Sequence, residues 1–276
     1  MAYEYVKVER VNKTLVVTMN RPEVYNAIHS PMHHEMEQIW NDFSTDPDLW
    51  VAVLTGEGLK AFSAGNDLKY TAKGGEGSIC DTGFAGLSTR FNLEKPIIAA
   101  VNGFAMGGGF ETALACDIII ASDNAIFALP EVRVGFLAAA GGVQRLVRQI
   151  GRGAAIDMLL TGRHVTAQEA LSLGIVSQVV KQDRLLEIAF EKAEVVASVS
   201  PSAIKATKRV LNAMDKDSKL PESLLYSREV VDELRRTEDF KEGVNAFVEK
   251  RKPCLLYTSD AADDLLCVDL GGRRII

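Results

Sequence analysis

GFAMGGGFETALACDIIIASDNAIFALPE, Gly103 to Glu131, decides how this chain is read. Three glycines, Gly107 to Gly109, stand where an apolar strand gives way to a segment with helical spacing of Phe110, Leu114 and nearby alanines. Glycine admits positive φ and lets other atoms come close to the backbone. A helix start adds N–H groups with no intrahelical partner and a positive partial charge, a setting suited to an anion. Glu111 falls in the first turn of that helix, and Glu131 follows Pro130 after the short strand Ile126–Leu129. Among Phe110, Phe127 and Leu129 either acid resists ionisation, which moves its pKa toward neutrality. Two such groups close together tend to share one proton and present an acid and a base at once. Taken singly, each glutamate reads more simply as a surface residue or helix-dipole partner, and three glycines as a tight turn. The combination carries the argument.

Working upstream, Ser63-Ala64-Gly65-Asn66-Asp67-Leu68 is a second strand-to-helix turn, with Asp67 a natural N-cap. Its backbone N–H groups are expected to face that of Gly108. Two such donors on one carbonyl oxygen stabilise a developing enolate, each typically worth a few kcal/mol. Around these turns, VKVERVNKTLVVTMN (6–20) reads as two strands joined at Asn12-Lys13. Pro31–Phe43 has the helical stripe Met32, Met36, Ile39, Trp40 and Phe43, while 50–55, 96–101 and 117–121 are buried strands. Short apolar strands alternating with helices predict an α/β core with parallel pairing. From Leu185 onward the chain reads as helices, with Pro201 and Pro221 at helix starts and Ser200 and Thr237 as N-caps. No fixed-period repeat is evident.

The 276 residues are enough for a sizeable core, and 47% hydrophobic with 25% charged residues is a globular rather than a disordered composition. A net charge of −6 gives no overall attraction for nucleic acid or an anionic membrane. No apolar run approaches the roughly 20 residues that span a bilayer. The start MAYEYVKVER lacks a signal-peptide core, and four cysteines without a CxxC pair read as reduced thiols, so a cytoplasmic location is expected. His29, His33, His34 and His164 show no metal-ligand spacing and are expected at the surface. Cys116 reads as core, and Lys205, Lys208 and Arg209 as a solvated helix face. From Cys254 the periodicity stops, and CLLYTSDAADD (254–264) resembles translated sequencing-adapter sequence. Residues 254–276 are therefore set aside from the fold reading.

NGFAMGGGFETALACDIIIASDNAIFALPEVRVGFLAAAGGVQRL (102–146), with KAFSAGNDLK (60–69) and LTGRHVTAQEALSLGIVSQVV (160–180), is similar to the crotonase (enoyl-CoA hydratase/isomerase) superfamily over residues 1–253. Within it, GFAGLSTRFNLEKPIIAAVNGFAMGGGFE (83–111) with FALPE is particularly similar to the carnitinyl-CoA dehydratase subgroup. The resemblance implies a spiral of ββα repeats over 1–195 and a helical oligomerisation region over 196–253, assembled as a homotrimer or dimer of trimers. It puts the oxyanion donors on the N–H groups of Asn66 and Gly108, and the catalytic pair on Glu111 and Glu131. Coenzyme A enters as part of an acyl-CoA substrate, held near Ala64, Gly65, Asn66, Gly107 and Ala139, with no metal or separate cofactor. Retention of both glutamates favours water addition or removal; the alternatives are a Δ3-Δ2 enoyl-CoA isomerase and an RNA-binding member. One departure stands out: the family's frequent Pro-Gly-Ala-Gly-Gly is here Ala138-Ala139-Ala140-Gly141-Gly142. The N–H of Ala139 keeps its expected part in holding water. The family's own C-terminus, which helps clasp coenzyme A, is expected to be interrupted after Pro253.

Overall fold

The computed structural model describes residues 3–75, 79–217, 231–232, 235–236 and 238–251. The tail set aside above, Thr237 and most of the helix expected over 221–236 lie outside the described residues.

Val6–Val11 (β1) and Thr14–Met19 (β2) make the expected hairpin, turning at Asn12 with φ of 53°. Helix Ser30–Thr45 (α1) follows, with Met32, Met36, Ile39, Trp40 and Phe43 all buried. The chain then settles into a rhythm. Val51–Gly56 (β3) leads to Ala61–Ser63 (β4), Ile97–Val101 (β5) to Phe104–Met106 (β6), and Ile118–Ser122 (β7) to Ile126–Ala128 (β8). The first strand of each pair joins one sheet and the second joins another, and a loop or helix returns the chain for the next turn. With Val165–Thr166 (β9) and Gln178–Val180 (β10), the sheet orders become β1-β2-β3-β5-β7-β10 and β4-β6-β8-β9. From β2 onward the larger sheet is parallel. The repeat is one of topology, with no sequence period behind it.

Parallel strands covered on both faces need apolar residues in unbroken runs, and β3, β5 and β7 supply them. Ala52, Leu54, Ile97, Ala99, Val101, Ile119 and Ala121 face the main core shared with α1. Val51, Val53, Ile98, Ala100 and Ile120 face the opposite way, against Leu185, Ala189 and Ala193 of Leu185–Ala197 (α6). Two asparagines hold the bend from the large sheet to the small one. The side-chain amide of Asn26 donates to the carbonyls of Glu57 (3.0 Å) and Ala61 (2.8 Å). That of Asn102 donates to Gly56 (2.8 Å) and Gly58 (2.7 Å). Buried carbonyls at a corner between sheets need such donors, and this corner feeds β4 into the Ala64–Asn66 turn.

The remaining helices frame the site. Leu68–Ala72 (α2) is capped by Asp67, whose Oδ1 accepts the Tyr70 N–H at 3.0 Å, as the sequence predicts. Gly108–Leu114 (α3) carries Glu111. Gly142–Thr161 (α4) is broken at Gly151, and Ala167–Ser172 (α5) precedes β10. Pro201–Asp217 (α7) begins at Ser200, whose Oγ accepts the Ala203 N–H at 3.3 Å. Lys208 corrects the solvated-face reading: its Nζ lies 2.7 and 2.9 Å from the two carboxylate oxygens of Asp117, and its side chain is only 14% exposed. The partners stand 91 residues apart, beyond any local pattern. Finally, Glu238–Glu249 (α8) packs against α2 and against the turn after Glu131. Phe240 meets Phe136 at 5.5 Å, and Gly243 sits so close that a Cβ there would lie 2.4 Å from the Val134 carbonyl oxygen.

Candidate active site

The site forms where two backbone turns meet. In the first, Ile28 donates its N–H to the Gly65 carbonyl (2.7 Å) and accepts from the Asp67 N–H (2.9 Å). These bonds bracket Asn66, whose own N–H has no partner among the described residues. Ala64 and Asn66 are exposed while Gly65 between them is buried. In the second turn, Gly107 donates to the Ala128 carbonyl (2.9 Å), and Gly108 opens α3 with an N–H that has no intrahelical acceptor.

The glycines are set by contact. A Cβ on Gly65, at φ +84°, would lie 2.6 Å from the Met106 carbonyl oxygen and 2.8 Å from the Gly108 nitrogen. On Gly109 it would meet the Ser63 carbonyl oxygen at 2.2 Å, and on Gly108 the ring of Phe84 at 2.4 Å. Gly107, at φ +52°, has the Glu131 Oε1 at 2.9 Å from the same point. The Asn66 turn, the helix start and the second glutamate therefore occupy one small volume.

Glu111 is 4% exposed, and its Oε1 accepts the Gly142 N–H at 2.8 Å. Burial raises its pKa above the ordinary glutamate range, against the pull of the Gly142 and Ala140 backbone and of the Arg145 guanidinium. Glu131 is half-buried, with Oε2 sealed from solvent and without a hydrogen-bond partner among the described residues. Burial raises its pKa, the charge of Glu111 raises it further, and its own backbone N–H opposes both. The two carboxyls thus sit in each other's field. Glu111, which has amide donors, is the better placed to hold the charge; Glu131 is the better placed to keep the proton.

The remaining candidates fall around this pair. Ala139 is half-buried in the turn before α4, the segment whose Ala140 and Gly142 face Glu111. Arg145 ties that segment to the opposite wall, donating to the carbonyls of Ala140 (3.3 Å) and Ser88 (2.8 Å). Two histidines correct the surface reading, since His29 and His33 are 6% and 2% exposed while His34 and His164 are exposed. The signal was present: positions 33, 36, 40 and 43 form one helical stripe. His33 Nδ1 accepts the Ala85 N–H at 3.0 Å, and its ring packs edge-on to Phe84, which sequence reasoning also passed over.

Two carboxyls with raised pKa values beside backbone donors unpaired among the described residues form an arrangement that can move protons and hold a negative oxygen. The sequence profile of the enoyl-CoA hydratase/isomerase family matches residues 9–255, and the chain belongs to that family. It is 44% identical over 250 residues to an (E)-benzylidenesuccinyl-CoA hydratase of Thauera aromatica, covering 90% of this chain and 97% of the relative. To a carnitinyl-CoA dehydratase of Escherichia coli O157:H7 it is 43% identical over 256 residues, covering 91% and 97%. Among solved structures, a carnitinyl-CoA hydratase from Mycobacterium avium superposes with a TM-score of 0.85 at 36% identity, covering 92% of this chain and 98% of that one. That superposition shows that the two chains share one fold. The chain is an enzyme of the enoyl-CoA hydratase type, a carbon–oxygen lyase.

Two outcomes follow from the packing. Gly109→Ala drives a methyl into the Ser63 carbonyl, and we expect it to lower unfolding stability by about 2 kcal/mol or more, read by denaturant titration. A substitution costing nothing would mean the turns can part freely. The second outcome concerns pH. The unfolded chain releases the Glu111 proton near the ordinary value of 4.5, whereas the folded protein holds it to higher pH. Between those values the folded state binds more protons, so this group's effect on stability becomes less favourable as pH rises. Glu111→Gln should therefore be more stable than the parent at pH 8, by about 1 kcal/mol or more, and lose that advantage near pH 4. Thermal melts at the two pH values check the sign.

Proposed function

We propose that this enzyme adds water to, or removes it from, the 2,3 double bond of an enoyl-CoA thioester, with Glu111 and Glu131 as acid–base pair. The amides of Asn66 and Gly108 take the thioester oxygen. In the hydration direction, ionised Glu111 accepts a proton from water as the water oxygen bonds to Cβ. The double-bond electrons move onto the thioester oxygen as an enolate, which the two amides hold. As the enolate collapses, protonated Glu131 delivers its proton to Cα. The balance is one water consumed, one C–O and one C–H bond formed, and a proton left on Glu111 where Glu131 had given one up. Exchange between the carboxyls or through solvent resets the pair.

The observation that carries this reading is the joint placement of the Glu131 carboxyl against Gly107 and the buried Glu111 carboxyl one turn into the helix that Gly108 begins. Proton shuttling and enolate stabilisation use these groups alone, so coenzyme A enters only as part of the substrate, along the exposed Ala64–Asn66 turn and beside Ala139. The relatives named as hydratases and dehydratases favour this over double-bond isomerisation. The acyl group is read as a short 2-enoyl chain or crotonobetainyl. A cytoplasmic homotrimer or dimer of trimers is the assembly that goes with it, to be measured by sedimentation of the native protein.

Glu111→Gln and Glu131→Gln should each lower kcat by about 100- to 10,000-fold on the preferred substrate among crotonyl-, crotonobetainyl- and L-carnitinyl-CoA, with unchanged circular dichroism. With crotonyl- or crotonobetainyl-CoA as substrate, oxygen-18 from solvent water should appear in the 3-hydroxyacyl product. Full activity in either variant, or turnover without label, sinks the assignment. The pH profile of kcat/KM should be bell-shaped, with both limbs above the ordinary carboxylate range, since burial raises both groups.

A further inference from the structure

The segment Gly83–Gly86 bends in a way that most sequences avoid. Gly83, Ala85 and Gly86 have φ of +83°, +55° and +67°, and Ala85 pays for the left-handed region with a Cβ. The surroundings over-determine it. Phe84 donates its N–H to Ser88 Oγ (2.8 Å), Ala85 donates to His33 Nδ1 (3.0 Å), and Trp40 Nε1 donates to the Ala85 carbonyl (3.0 Å). Arg90 Nε donates to the Gly86 carbonyl at 2.7 Å. A Cβ on Gly86 would lie 2.8 Å from the backbone of Glu37, so the bend is pressed directly onto α1.

The strain places one ring. Phe84 is 6% exposed and covers Gly108 so closely that no side chain fits between them. His33 stacks edge-on behind it, with ring centroids 4.5 Å apart and planes at 73°. Burial pushes the His33 pKa down to about 3, so the imidazole is neutral at working pH and Nδ1 keeps the lone pair that Ala85 needs. Neither ring carries charge at working pH. What they share is position: an aromatic wall beside the first residue of α3, fixed by a neutral acceptor.

We propose that Phe84 is the residue that sets how bulky an acyl group the site admits beside the thioester, with His33 as the positioning residue that holds Phe84 in place through Ala85. The proposal rests on the reading that Gly108 faces the thioester; given that, a ring lying on Gly108 bounds the space open to the acyl carbons that follow the carbonyl. Bond directions support the division of labour. Removing the ring opens volume next to Gly108. Removing the imidazole leaves the Ala85 N–H buried without an acceptor and frees the bend to relax.

The test compares saturated butyryl-CoA and octanoyl-CoA by titration calorimetry, alongside turnover of crotonyl-CoA and trans-2-octenoyl-CoA. Phe84→Ala should shift both the binding preference and the kcat/KM preference toward the eight-carbon chain by at least about tenfold, with Phe84→Leu intermediate. His33→Leu should move the preference the same way. His33→Asn, which keeps an oxygen acceptor near the position of Nδ1, should stay within about twofold of the parent. Unchanged chain-length preference in a folded Phe84→Ala and in Phe84→Leu overturns the wall. Equal shifts in His33→Leu and His33→Asn overturn the positioning role. Failure of the parent to hydrate crotonyl-CoA would count against the hydratase mechanism instead, because the saturated-ligand titration needs no turnover.

Discussion

Everything in this site depends on a contact between two pieces of backbone. The Ser63–Asn66 turn and the Gly107–Gly109 helix start approach until a single Cβ on either side has nowhere to go, with 2.2 Å left at Gly109 and 2.6 Å at Gly65. Amides held that tightly cannot swing to follow a substrate. In the proposed reaction they are aimed before it arrives, which is how fixed dipoles stabilise charge that appears only along the reaction path. Each turn belongs to a different pass of the spiral, β4 leading to one and β6 to the other, and parallel pairing of β4 with β6 sets their spacing. The asparagine-buttressed corner before β4 extends that constraint back into the large sheet. A ββα spiral thus does for this site what a single rigid loop could not.

Against that rigid frame the carboxyls are an expense. Glu131 has a sealed oxygen with no partner among the described residues, and burial raises the pKa of both acids above the ordinary range. A protein selected for stability alone would exchange them for amides or aliphatic groups. The strained bend at Ala85 points the same way, since it stores backbone energy to hold one ring against one glycine. Strain and orphaned polar atoms gather within the same few residues as the unpaired amides. The main core beneath, with Trp40, Phe43, Phe62, Phe110 and Phe127 fully enclosed, is the reservoir that makes such local costs tolerable.

The sequence spoke clearly where cause and effect lie near each other along the chain. The glycines, the two glutamates, the Asp67 cap and the hairpin at Asn12 are local devices, and each could be read from neighbours within a few residues. It misled where burial is decided by distant partners. Lys208 resembles any exposed helix lysine until Asp117 arrives from the start of β7, and His33 resembles a surface histidine until the bend at Ala85 closes over it. Phe84 was invisible for another reason: the backbone next to it, at Ala85, violates the local preferences from which any sequence reading starts.

That last failure is informative. Local rules describe what a chain does when nothing else intervenes, so a residue that breaks them must be held by something outside its own neighbourhood. At Ala85 the holders can be named: an imidazole nitrogen, an indole N–H, and the serine hydroxyl that fixes the preceding amide. Arg145 then connects this bend, through the Ser88 carbonyl, to the Ala138–Gly142 turn that supplies Glu111 with its amide donor. Phe84 and Glu111 are therefore linked through one hydrogen-bonded network. A change that loosens the bend reaches Glu111 through two hydrogen bonds of one guanidinium. On this view, acyl-group selection and proton transfer in this enzyme should be partly coupled, and the double substitution of Phe84 and Arg145 should depart from additivity, as residues within one bonded network do.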